Sequence, residues 1–163
     1  MEPTILAYIA GFLDGDGSIF FQIIREKEKF RIRSSIAFYQ KSNNSEILDW
    51  LKCQFGAGYI RHRKTGISDY TIVDSKEVFK ILKLLQPYVR LKKKHVELGL
   101  EILQKMQNKD NFGETCKLVD KFKYINYSKK RTITYETVAK KLDTSLECSE
   151  TRSVSDISKS LPL

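Results

Sequence analysis

A chain of 163 residues is long enough for one domain with a proper core and too short for two comfortable ones. Its formal net charge of +9 and pI of about 9.4 suit a polyanion; no apolar run approaches a membrane span, and Ile5 to Leu13 lacks the flanks of a signal peptide, so nucleic acid is preferred to a membrane surface. Cys53, Cys116 and Cys148 are an odd, widely spaced set without CxxC, and His62 and His95 are the only histidines, which excludes a disulfide framework and a zinc site and leaves carboxylates to hold any metal.

From Thr4 to Leu13 the chain is apolar and uncharged, with Pro3 placed as a first-turn residue, and this predicts a helix. Ala7, Gly11 and Gly15 recur at a spacing of four, so one face of that helix is nearly bare and another backbone can approach it. The helix runs into Asp14-Gly15-Asp16-Gly17-Ser18, two carboxylates among glycines ahead of a strand. A capped turn and a divalent-metal site are both open readings of that junction. A calcium loop fits its first alternating ligands but has Ile19 where the sharp-turn glycine belongs and Arg25 where the bidentate glutamate belongs.

Ser18 to Arg25 and Phe30 to Gln40 read as strands joined by the charged turn Glu26 to Lys29. Ser45 is the expected N-cap of an amphipathic helix, Glu46 to Phe55, which Gly56 and Gly58 end. A second hairpin follows, Tyr59 to Arg63 and Ser68 to Val73 around Lys64-Thr65-Gly66. Next come a helix capped by Ser75 and ended before Pro87, and helices at Lys92 to Met106, Gly113 to Ile125 and Tyr135 to Leu146. The order α-β-β thus occurs twice. Residues 1–147 are expected to form one domain and the Ser-rich residues 148–163 a flexible tail.

Strand alternation gathers Gln22, Ile24 and Glu26 on one face, Arg31, Arg33 and Ser35 on another, and Arg61, Arg63, Asp69 and Thr71 on the second hairpin. Arg and Gln at a two-residue period on an exposed ribbon suit the major groove, where Arg pairs with guanine and Gln with adenine. Asp69 either holds Arg61 and Arg63 in position or accepts from a cytosine amine. The cations of Ser128-Lys129-Lys130-Arg131 suit a backbone phosphate contact or plain solvation, and Tyr39 is assigned with the other aromatics to the core.

The segment Ile9 to Gly17 resembles the signature of LAGLIDADG homing endonucleases, with Gly15 replacing the alanine and both aspartates present. Gly56-Ala57-Gly58-Tyr59, Ser68-Asp69-Tyr70 and Leu85-Gln86-Pro87-Tyr88 are similar to the single-motif branch encoded in chloroplast group I introns. The resemblance implies an α+β fold, αββαββα, with an antiparallel DNA-binding saddle and C-terminal helices. It also implies a site-specific endonuclease that cuts both strands of a long pseudo-palindromic double-stranded DNA site and initiates intron mobility. Asp16 and the Gly15 carbonyl would bind Mg2+, for which Mn2+ or Ca2+ substitutes in binding, and Asp14 would be structural. Gln40 would position water, Lys92 would act electrostatically at the scissile phosphate, and Lys41, Lys94 and the 128–131 loop would touch DNA. Asn44 stands where relatives carry an arginine, with Lys41 the nearest cation. One motif supplies one such carboxylate, so cutting two strands calls for a homodimer through Ala7, Gly11 and Gly15. No small-molecule cofactor or membrane is implied, and the expected setting is a chloroplast, without a recognisable transit peptide. The alternative is a non-cleaving reader of the same fold, an intron maturase or regulator.

Overall fold

The computed structural model describes residues 1–107, 111–126 and 133–141. Its elements are α1 (Pro3–Asp16), β1 (Gly17–Glu26), β2 (Lys29–Lys41), α2 (Glu46–Phe55), β3 (Tyr59–His62), β4 (Ile67–Ile72), α3 (Ser75–Leu85), α4 (Lys93–Lys105) and α5 (Phe112–Ile125), with a further helical stretch over residues 135–141. The expected tail and the loop at 128–131 lie outside the described residues.

The four strands form one antiparallel sheet in the order β1-β2-β4-β3. Alternation gives the sheet two unlike faces. Ile19, Phe21, Ile23, Ile32, Ile36, Phe38, Tyr70 and Ile72 point into the core, where Leu13 of α1, Leu51 of α2, Leu82 of α3, Leu100 of α4 and Phe122 of α5 cover them. The opposite face carries no helix among the described residues; the fold is α+β, as expected, with its helices layered on one side of the sheet. Gly99 permits this packing: a Cβ there would lie 2.9 Å from the Phe21 ring. Tyr70 is wholly buried, donates its hydroxyl to the Ala57 carbonyl at 2.5 Å, and has its phenol pushed up to about 12 by burial.

Two expected caps are corrected. Asp74, not Ser75, caps α3, accepting from the N–H groups of Lys76 at 2.9 Å and Glu77 at 3.0 Å. The carboxylate one residue upstream takes both donors, and Ser75 instead meets the Ser34 hydroxyl at 3.0 Å. Ser45 precedes α2 but makes no side-chain cap, because the 3-10 turn Ser42–Asn44 has already brought it to helical φ −78° and ψ −6°. Gly56 ends α2 as expected, in the left-handed conformation at φ 66°.

α1 runs three residues beyond the expected Leu13, so Asp14 and Asp16 lie within its last turn. Among the described residues no atom outside the helix's own backbone lies within 4 Å of a Cβ built at Gly11 or Gly15, so none of the described helices is the partner implied by the bare stripe.

Candidate active site and nucleic-acid interface

The end of α1 separates the two carboxylates by direction. Asp14 turns toward the start of α4 and accepts three backbone N–H groups, from Arg90 at 2.7 Å, Leu91 at 3.0 Å and Lys92 at 2.9 Å. Its carboxylate therefore fixes the turn that leads into α4, far away in sequence, which is a structural role. Two residues on, Asp16 is exposed. The helix ends there, so the Gly15 carbonyl has no intrahelical donor. A carboxylate and a carbonyl side by side at the negative end of a helix are the oxygen donors that a hard divalent cation takes. Among the described residues no three His, Cys, Asp or Glu side chains gather into a fuller ligand set.

Lys92 reaches the same place from α4. Its Nζ donates to the Asp14 carbonyl at 2.5 Å, and burial holds its ammonium below the usual lysine range while the Asp14 and Asp16 charges oppose that shift. A recess of about 540 Å³ opens beside it, lined by Gly15, Ser18, Phe20, Leu91, Lys92 and His95 among others. His95 ties α4 to the end of α5: Nε2 lies 3.0 Å from the Ile125 carbonyl and 3.1 Å from Asn126 Oδ1. Both partners are acceptors, so Nε2 carries the proton. Burial pushes the imidazole below its ordinary value. His95 was not assigned a role from sequence, where a lone histidine on a helix carries no distinguishing signal.

Gln40 sits near the end of β2, opposite Ser68, with Oε1 accepting the Lys41 N–H at 2.8 Å. The structure thus joins Asp14 and Lys92 by hydrogen bonds, with Gly15 lining the same recess as Lys92, and engages Gln40 with its own backbone neighbour.

The helix-free face of the sheet holds the expected reading residues. Register sets Gln22 opposite Arg33 and Ile24 opposite Arg31 on the first hairpin, and Arg61 opposite Asp69 on the second. Ser35, Lys41 and Thr71 continue that face by alternation. Gln22, Arg31, Arg33, Lys41, Arg61 and Arg63 are exposed, as is Lys94 in the first turn of α4. Glu26 pairs with Arg31 at 3.0 Å.

Asp69 is settled between its two readings by geometry. Its side chain is 1% exposed; Oδ1 accepts from Arg61 Nε at 3.2 Å and Arg63 Nε at 2.6 Å, and Oδ2 from Arg61 at 3.2 Å and Thr71 at 3.0 Å. Burial alone would raise its carboxyl, but these donors outweigh it and the net shift is downward. It holds two guanidiniums in place and has no oxygen left for a base, which corrects the cytosine reading. Tyr39 is also corrected: it is half-buried on the open face with the Arg63 guanidinium 6.0 Å from its ring centroid, not in the core. Its position opposite Asp69 follows from a register that sequence alone leaves open.

The LAGLIDADG endonuclease family profile matches residues 9–100. The chain is 39% identical over 149 residues to the DNA endonuclease I-CreI of Chlamydomonas reinhardtii, covering 87% of this chain and 91% of that protein. It is 32% identical over 150 residues to the DNA endonuclease I-CvuI of Chlorella vulgaris, covering 85% and 93%. The crystal structure of I-CvuI in complex with the I-CreI target, with magnesium present and the DNA not cleaved, superposes with a TM-score of 0.82 over 86% of this chain and 94% of that one. An archaeal intron-encoded homing endonuclease bound to DNA, I-Vdi141I, shares the fold at 20% identity and a TM-score of 0.77, over 88% and 98% of the two chains. The chain belongs to the LAGLIDADG endonuclease family.

Proposed function

We propose that the protein is a homodimeric, magnesium-dependent endonuclease that cuts both strands of a long pseudo-palindromic DNA site and so initiates intron mobility, in a chloroplast setting. The observation that carries the reading is the end of α1, which sets an exposed Asp16 and the Gly15 carbonyl near Lys92, at the start of a strand whose open face is lined by Arg and Gln. The two algal relatives support both the activity and the setting.

Asp16 and the Gly15 carbonyl would hold the ion, which when bound would supply Lewis-acid stabilisation and a more acidic water. Lys92 stands ready to offset the charge that develops on the phosphate, with its ammonium fixed by the Asp14 carbonyl. Gln40 orients the attacking water. The sheet face fixes register, with Arg31, Arg33, Arg61 and Gln22 reading base edges and Lys41 and Lys94 on the backbone. Each chain contributes one Asp16, so the bare face of Ala7, Gly11 and Gly15 meets its counterpart and brings two ligand sets to the two-fold axis.

The test is incubation with intron-lacking target DNA and magnesium, with and without a chelator. Double-strand cleavage that the chelator stops is the expected result. Because I-CvuI was crystallised on uncleaved DNA with magnesium present, binding alone does not decide the matter. Specific binding to the cognate site without cleavage would favour the non-cleaving reader.

A further inference from the structure

The first hairpin outruns the sheet that supports it. β4 pairs with β2 only from Ile36 to Lys41, so residues 29–35 of β2 pair with β1 alone, and a two-stranded ribbon in water is marginal by itself. Its tip is also unfavourable: Lys27 has φ 54°, in a region that glycine or asparagine ordinarily occupies. Such a conformation persists where its surroundings over-determine it.

The surroundings are specific. Arg25 Nε donates to the Lys27 carbonyl at 3.1 Å, and Lys141 Nζ donates to the Glu28 carbonyl at 3.2 Å, so a cation holds each carbonyl of the two-residue turn. The Glu28 carboxylate lies between the same two cations, 2.8 Å from Lys141 and 3.4 Å from Arg25. The Lys141 ammonium also sits 5.9 Å from the centroid of the Phe30 ring. Arg25 and Phe30 are register partners on the face opposite Gln22 and Arg33. They border a cavity of about 550 Å³ together with Glu136, Thr137, Lys140 and Lys141. The helical stretch supplying Lys141 is itself anchored: Val138 is buried, Asp120 on α5 accepts the Tyr135 N–H at 2.8 Å, and Lys117 lies 4.9 Å from the Tyr135 ring centroid. A mechanical connection therefore runs from α5 to the hairpin tip.

We propose that residues 135–141 brace the tip of the first hairpin, and that Lys141 and Glu28 are positioning residues for recognition of the outermost base pairs of each half-site. The proposal rests on the DNA-endonuclease reading. β1 leaves Asp16 and runs for ten residues, which sets the tip roughly 30 Å from the metal ligand, or about nine base pairs along a duplex. Glu26, Arg31 and Lys29 at that end project from the backbone that the brace holds, so a turn free to move would let them contact several bases equally.

The test uses Lys141→Met, which keeps the aliphatic stem and removes the ammonium, and Lys141→Arg as the conservative rescue. Amide hydrogen exchange on the DNA-free proteins is expected to show faster exchange from Ile24 to Arg31 in Lys141→Met alone, with Ile36 to Lys41 unchanged. Cleavage is then measured on a duplex selected by the wild-type protein from a randomised library, and on copies altered at the outermost or at central base pairs. Lys141→Met is expected to lose about threefold to tenfold of its discrimination at the outermost pairs and none at central ones, with Lys141→Arg restoring it. Unchanged exchange at the tip overturns the brace, and unchanged outer discrimination overturns the positioning role. A wild-type protein that selects no duplex refutes the endonuclease reading instead, and the exchange result still decides the brace.

Discussion

At the scale of single residues, the two aspartates of one helical turn divide their work because the backbone aims them differently. Three N–H groups converge on Asp14, so Asp14→Ala leaves the donors of the turn before α4 unpaired and is expected to lower stability by about 2 kcal/mol in urea unfolding. The sequence shows Asp14 as a structural candidate only through its motif, because its partners lie 76 to 78 residues away. His95 supplies a pH limb. Burial lowers its folded-state value, so the unfolded chain takes up the proton first as the pH drops. Stability is then full above the ordinary histidine value of about 6.5 and falls as the pH decreases through it. Thermal melts from pH 7.5 to 5 are expected to show that decline, and His95→Gln to flatten it. Asp69 acts lower: its depressed carboxyl contributes stability above the ordinary aspartate value, lost as the pH falls through the folded one.

At the scale of elements, glycines show how packing decides what sequence leaves open. A Cβ at Gly99 would meet Phe21 at 2.9 Å, and Gly99→Ala is expected to destabilise the chain by about 1–3 kcal/mol. A Cβ at Gly11 meets nothing among the described residues, so Gly11→Leu relieves a helix-propensity cost of about 0.5–1 kcal/mol in the protomer. If α1 is the two-fold interface, the same replacement abolishes the dimer. Light scattering should then show a folded monomer, and double-strand cleavage should be lost with it. The bare stripe at Ala7, Gly11 and Gly15 was legible because its spacing matches one helical face. The significance of Gly99 was not, since nothing local marks which helix glycine lies over a strand. Element order and strand limits were read to within a residue or two because alternation and turn residues agree there. The caps at Ser45 and Ser75 were misread because each had a competitor one step away, a 3-10 turn and Asp74. The contact of Lys141 with Glu28, 113 residues apart, has no sequence signature.

At the scale of the whole molecule, a helix layer on one side of the sheet leaves the other side for DNA, and the net charge of +9 acts over that surface. Affinity for a specific duplex is therefore expected to fall by about a thousandfold or more between 50 and 200 mM salt, as a titration by fluorescence anisotropy would show. The central claim is narrower than binding: Asp16, with the carbonyl beside it, is the carboxylate that each chain brings to phosphodiester hydrolysis. Asp16→Asn preserves shape and the reading face while weakening the ligand for a hard cation. Its cleavage rate on the cognate duplex with magnesium should fall at least about a hundredfold, with duplex affinity within a few-fold of wild type. Cleavage by Asp16→Asn at the wild-type rate would contradict the assignment.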